Sequence, residues 1–90
     1  MSKHIPRKSR WTRINAKEHR SAFGVVQYRA GAWEGTVIYQ IRTGETEPWQ
    51  GEMAPAGRFK RPRNAMIAVE DKAREIGRRF GENVKVAFMG

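Results

Sequence analysis

The feature that most limits the fold of this chain is a change in the spacing of its apolar residues. Within residues 33–41, one side of an extended chain would carry Trp33, Gly35, Val37, Tyr39 and Ile41. This period of two is typical of an antiparallel strand with one buried and one solvated face. Further along, apolar residues recur at spacings of four, four, three and four, at Ala65, Val69, Ala73, Ile76 and Phe80. That second period predicts a helix with one apolar stripe, so the chain must combine strands and a helix.

Three consecutive strands are predicted before the helix. Residues 22–29 are rich in β-branched and aromatic side chains, residues 33–41 alternate as described, and residues 49–53 alternate over a shorter stretch. The composition of residues 43–48 indicates a loop. Ala54-Pro55-Ala56-Gly57 is interpreted as a turn, because proline and glycine together interrupt regular structure. The sequence therefore predicts a three-stranded antiparallel meander.

The helix has recognisable ends. Pro62 suits the first helical position, where its missing N–H costs nothing, and Gly81 suits the end. The outer face is expected to carry Glu70 paired with Arg74, four residues apart. Ile67 points about 150° away from the apolar stripe, so we expect it to be exposed and treat it as a candidate interface residue.

A short C-terminal strand is predicted over residues 84–88, where apolar and other residues alternate again. It either joins the edge of its own sheet or pairs with a second copy. The expected fold class is α+β, with the meander, one helix packed across a face and this last strand. Residues 21–90 would form the single domain, preceded by a basic and disordered arm over residues 1–20.

The charge of the chain is strongly positive and unevenly distributed. The 90 residues include 18 Lys and Arg against 9 Asp and Glu, a net charge of +9. Residues 1–20 hold seven basic residues against one acidic, residues 21–56 two against four, and residues 57–90 nine against four. Basic surface attracts polyanions, so nucleic acid is the first partner to consider. The alternative is that the charge serves only solubility.

The arm offers one set of candidate phosphate contacts. Residues 1–10 contain too little apolar surface to offset the entropy of ordering them, and such arms often lie along phosphates or in a groove. The adjacent Trp11 either stacks on an unpaired base or, as we favour, anchors the arm on the hydrophobic face of the domain. The candidate contacts of the arm are Arg7, Lys8, Arg10 and Arg13.

The start of the helix offers a second set. A helix N-terminus presents backbone N–H groups and the positive end of the macrodipole, which favours phosphate. Phe59 lies within this cluster and either stacks on a base or, as we favour, packs inward. The alternative is that the acidic loop at residues 43–52 folds over the cluster and neutralises part of it. The candidate contacts here are Arg58, Lys60, Arg61 and Arg63.

Two resemblances concern architecture. A three-stranded sheet backed by a helix is similar to small DNA-binding domains of the integrase-arm kind, in which the sheet enters the major groove. Residues 57–68, with Lys60-Arg61 followed by Arg63-Asn64-Ala65, resemble the start of the final helix of double-stranded-RNA-binding domains. In that family, basic residues at this position bridge phosphates. Both are analogies of architecture and assign no family.

Other classes of function have little support in the sequence. The absence of cysteine excludes disulfides, thiol nucleophiles and thiolate zinc sites. The few serines and histidines give no catalytic set, and no phosphate-loop or dinucleotide motif is present, so we expect no enzyme, cofactor, metal or small-molecule substrate. Apolar runs are too short for a membrane span, and a cytoplasmic protein is expected.

The leading hypothesis from the sequence is therefore a small basic accessory or regulatory protein that binds the backbone of DNA or RNA. The alternative is a protein-interaction module or homodimer whose basic arm is a docking tail, with no role at nucleic acid.

Overall fold

A computed structural model describes residues 11–86 of the chain. It contains six strands and one long helix, and it confirms the α+β class. A single 3₁₀ turn, Gly81–Asn83, links the helix to the last strand. The elements are β1 (Thr12–Asn15), β2 (Glu18–Arg20), β3 (Gly24–Arg29), β4 (Ala32–Ile41), β5 (Gln50–Phe59), α1 (Pro62–Phe80) and β6 (Val84–Lys85).

All strand pairs of the sheet are antiparallel, and β4 pairs with three other strands, β3, β5 and β6. The sheet order is β1-β2-β3-β4-β5, and β6 pairs with β4 at Gln40 and Ile41. Because β3 pairs with β4 only as far as Val37, β6 occupies the remaining length of the same side of β4. The C-terminal strand thus joins the sheet of its own chain, and residues 87–90 lie outside the described residues.

The start of the domain differs from the predicted boundary at residue 20. β1 and β2 form a hairpin that extends the sheet beyond β3, inside the segment predicted to be a disordered arm. The preceding Trp11 is buried, with 7% of its surface exposed. The indole of Trp11 buries apolar surface that the charged residues around it lack. Backbone pairing with β3 then holds the hairpin in the sheet. The predicted disorder of residues 1–10 falls outside the described residues.

The turn predicted at residues 54–57 is wrong, because these residues continue β5 to Phe59. β5 is an edge strand, where a proline such as Pro55 is tolerated because its nitrogen need not donate to a neighbour. The pairing of β5 with β4 shifts register between Gly35 and Thr36, which indicates a bulge. Gly57 sits at this bulge with a φ of +117°, a conformation that favours glycine.

The helix begins and ends at the predicted residues, and it packs on one face of the sheet against β3, β4 and β5. Gly35 permits the closest approach, since a Cβ there would lie 2.7 Å from Cγ2 of Val69. Two expectations for the outer face are wrong. Glu70 is buried, with 3% of its surface exposed, and Ile67 is half-buried.

The other face of the sheet has no helix packed on it among the described residues. Ile38 and Met53 lie directly opposite each other on β4 and β5 and are 41% and 68% exposed. In the described part of the chain, no helix combines the length and apolar character needed to cross a lipid bilayer.

Candidate nucleic-acid interface

The topology of the sheet collects separate basic segments at one end. The β1–β2 turn at Ala16 and Lys17, the β3–β4 turn at Ala30 and Gly31, and the β5–α1 junction all lie there. The backbone N–H of Tyr28 donates to the carbonyl of Lys17 at 2.9 Å, which fixes the first turn beside the end of β3. We call this region the basic end; its exposed cations are Arg13, Lys17, Arg29, Arg58, Lys60, Arg61 and Arg63.

Two of these cations share one carboxylate. The Glu34 carboxylate lies 4.0 Å from Nη1 of Arg29 and 3.7 Å from Nε of Arg58. Nη2 of Arg58 also donates to the backbone carbonyls of Arg29 and Ala30, at 3.0 and 3.1 Å. Arg58, a predicted phosphate contact, therefore ties the end of β5 to the β3–β4 turn, and its guanidinium is already engaged.

Besides Arg13, whose Nε donates to a backbone carbonyl, four cations of the basic end have no carboxylate partner among the described residues. Within residues 11–86, no carboxylate lies within 4.0 Å of Lys17, Lys60, Arg61 or Arg63. The acidic loop predicted over residues 43–52 does not neutralise them. Residues 42–49 join β4 to β5 at the opposite end of the sheet, and Glu52 lies near that end, opposite Tyr39. The two ends are separated by the ten residues of β4, about 33 Å.

The start of α1 adds backbone donors to this cluster. Arg61 occupies the N-cap position and makes no side-chain capping hydrogen bond, and the first turn holds no acidic residue. Pro62 lacks an N–H, so the free donors of this turn belong to the residues that follow it. Their partial positive charge adds to that of the neighbouring side chains.

Three rings lie at the same end on the helix-facing side of the sheet, and we call them the aromatic corner: His19, Tyr28 and Trp33. Tyr28 and Trp33 are cross-strand partners with ring centroids 5.3 Å apart, and His19 lies 5.6 Å from Trp33. Tyr28 is 40% exposed. Sequence reasoning missed this corner because His19 was assigned to the arm. The available signal was the position of Tyr28 two residues before a tight turn and Trp33 two residues after it.

His19 is neutral in the folded protein near pH 7. Burial, and secondarily the positive charge of Arg13, lower its pKa from the ordinary value of 6.5. Arg13 pairs with His19 across β1 and β2. The aromatic corner therefore presents an uncharged imidazole bordered by a cation.

The remaining predicted contacts fall into two groups. Arg7, Lys8 and Arg10 lie outside the described residues. Arg13 is exposed, and its Nε donates to the backbone carbonyl of Asn15 at 3.4 Å. Phe59 is half-buried and packs against the core, as the favoured interpretation expected. No group of three His, Cys, Asp or Glu residues that could hold a metal occurs within residues 11–86.

A second cationic feature, at the opposite end of the sheet, has a structural explanation. The guanidinium carbon of Arg42 and Nζ of Lys85 both lie over the indole of Trp49, at 4.6 and 4.4 Å from the ring centroid. Nε of Arg42 also donates to Oδ1 of Asn83 at 3.1 Å, and its Nη1 donates to the carbonyl of Glu45 at 3.2 Å. These contacts connect the loop after β4 to the C-terminal segment. Both cations therefore have partners, unlike the four cations of the basic end that have no carboxylate partner among residues 11–86.

Comparison with known proteins adds no relative: no family model, no curated protein and no solved structure matches this chain. The architectural analogies drawn from the sequence therefore have no matching structure behind them.

Proposed function

We propose that this protein binds the phosphate backbone of nucleic acid through its basic end. The observation that carries the proposal is the convergence of Lys17 with Lys60, Arg61 and Arg63, all exposed and without carboxylate partners among residues 11–86. Exposed cations without carboxylate partners can neutralise phosphates, and this releases the counterions that are condensed on the nucleic acid. The uncapped helix start offers backbone donors to the same ligand.

The contacts are expected to be largely independent of base sequence. Lysine and arginine side chains that meet phosphates position a nucleic acid but do not read it. An accessory or regulatory role in the cytoplasm, on DNA or RNA, fits this mode of binding. The four arm cations Lys3, Arg7, Lys8 and Arg10 would add further phosphate contacts.

A second candidate function is protein interaction through the uncovered face of the sheet. Its support is the exposed cross-strand pair of Ile38 and Met53, flanked by Pro55 on β5. Exposed apolar side chains on this face fit a protein partner better than phosphate. A net charge of +9 opposes self-association. Under this second candidate function, the partner would therefore be an acidic protein.

Fluorescence anisotropy of labelled oligonucleotides over a salt series tests the leading proposal. If four phosphates are neutralised on duplex DNA, the slope of log K against log salt is about −3.6. Removing two of the cations with Lys60→Ala/Arg61→Ala should make that slope shallower by about 1.8. The matched control is Arg78→Ala/Arg79→Ala, which removes two exposed charges from the other end of α1, about 27 Å away.

The two double variants have the same net charge, so general attraction to a polyanion lowers their affinities equally. A larger loss of affinity for Lys60→Ala/Arg61→Ala supports binding at the basic end. Equal losses would contradict that location. If the wild type shows no binding at physiological salt, nucleic-acid binding itself fails. A search for an acidic partner of the Ile38–Met53 face would then follow.

A further inference from the structure

We propose that the nucleic acid bound at the basic end is an unpaired strand, with one of its bases stacked on Tyr28 in the aromatic corner. This inference rests on the proposed function and names the class of its ligand. An unpaired base carries an accessible aromatic face, and stacking on protein side chains is the usual way such bases are held.

The position of Tyr28 makes its ring available. β3 places it on the helix-facing side, in the same row as the buried Val26, yet it is 40% exposed because it lies at the end of the strand. Trp33 supports the ring from β4 and His19 borders Trp33 from β2. The contact with Trp33 restricts the ring of Tyr28 on one side, so less freedom is lost when a base stacks on it.

Two exposed cations, Lys17 and Arg63, lie on elements that border Tyr28. Lys17 lies in the β1–β2 turn, and its carbonyl accepts the backbone N–H of Tyr28. On the helix, Arg63 precedes Glu70 by seven residues, which places both on the same side of α1, about 10 Å apart along its axis. That side faces β1, because Glu70 accepts the indole N–H of Trp11, which directly precedes β1. A strand laid over Tyr28 can therefore meet phosphate contacts before and after the stacked base.

The uncovered sheet face is less suited to a duplex. Its cations are engaged: Arg29 and Arg58 share Glu34, and Arg20 pairs with Glu18. It also carries the exposed apolar pair of Ile38 and Met53. In a duplex the bases are stacked on each other, so reaching Tyr28 would require unstacking one of them at an energetic cost.

The test compares three labelled ligands of equal length: a single strand, the same strand with abasic sites, and a duplex. They are titrated with the full chain at one salt concentration. The wild type should bind the single strand most tightly, and the abasic strand should bind more weakly because it offers phosphates without bases. This comparison needs no variant, so it stands even if a substitution disturbs folding.

The variants then locate the stacking. Tyr28→Ala should weaken single-strand binding roughly 5- to 150-fold, the range for removal of one base–aromatic stack, with little effect on the abasic strand. Tyr28→Phe keeps the ring and should bind as the wild type does. Circular dichroism checks that both variants are folded.

Three results overturn the inference. They are equal binding of normal and abasic strands, tighter binding of the duplex, and unchanged single-strand binding by a folded Tyr28→Ala. In each case the salt slope and its dependence on Lys60 and Arg61 still report on the proposed function. If those also fail, the proposed function has failed independently.

Discussion

Trp11 and Glu70 are 59 positions apart in sequence and form a buried hydrogen bond, with the indole Nε1 donating to Oε2 at 2.8 Å. Each residue satisfies the hydrogen-bonding requirement of the other. A carboxylate at 3% exposure is costly without a donor, and an indole N–H seeks an acceptor when buried. The pair joins the start of the first strand to the middle of the helix.

Removing the donor should therefore destabilise the fold. Trp11→Phe leaves Glu70 buried with its oxygen unsatisfied, and we expect a decrease of about 1–3 kcal/mol in the free energy of unfolding. Trp11→Phe combined with Glu70→Leu should recover part of it, because neither polar group is then buried. Urea unfolding of both single variants and the double variant measures this coupling. Additive decreases would show that the hydrogen bond contributes nothing.

At the scale of strands and helices, the packing of α1 on the sheet depends on Gly35, a residue of β4 that has no side chain. A Cβ at Gly35 would lie 2.7 Å from Cγ2 of Val69 and 3.2 Å from the carbonyl of Ala65. The missing side chain at Gly35 thus makes room for the helix. This close approach is why Val69 and Ala65 are completely buried.

Gly35→Ala should consequently push the helix away from β4 and cost about 1–3 kcal/mol, as overpacked cores do. Gly51→Ala is the matched control, because a Cβ at that position on β5 has nothing within 4 Å. We expect the control to change the unfolding free energy by no more than about 0.5 kcal/mol. Thermal and urea unfolding distinguish the two, and equal stabilities would contradict the packing role of Gly35.

The arrangement of charge is a property of the whole molecule. The described residues form a flattened body with principal extents of 41 × 33 × 19 Å. The basic end and the acidic residues Glu45 and Glu47 lie at opposite ends of its sheet. A uniformly basic protein would attract a polyanion from any direction, whereas this distribution favours approach at one end.

The contribution of the arm is best tested by a chain that starts at Trp11. Such a chain keeps the anchor to Glu70 and both early strands, and it lacks the cations Lys3, Arg7, Lys8 and Arg10. If the arm binds phosphates as predicted, the salt slope on a duplex becomes shallower by about 0.9 for each phosphate that the shorter chain no longer neutralises. Anisotropy on the two chains measures it, and an unchanged slope would exclude the arm from the interface. Removal of residues 1–20 would be a poor test, because it also deletes β1 and β2.

Local residue patterns were enough to predict the α+β class, strand β4 and the helix from Pro62 to Phe80. These follow from the period of apolar residues and from Pro62 and Gly81 at the helix ends, which act on the backbone near them. The same patterns named three of the four cations that carry the proposal, because Lys60, Arg61 and Arg63 are close in sequence.

The remaining features depend on contacts between distant parts of the chain. Lys17 and Tyr28 lie at the basic end because antiparallel pairing brings separate turns to the same end of the sheet. No local residue pattern predicts which turns lie together there. Pro55 is compatible with a strand only because β5 lies at the sheet edge. Glu70 is buried rather than exposed because the indole of Trp11, 59 positions away in sequence, donates a hydrogen bond to its carboxylate. In each case the residues or strands in contact are far apart in sequence, and the spacing of residues along the chain does not predict such a contact.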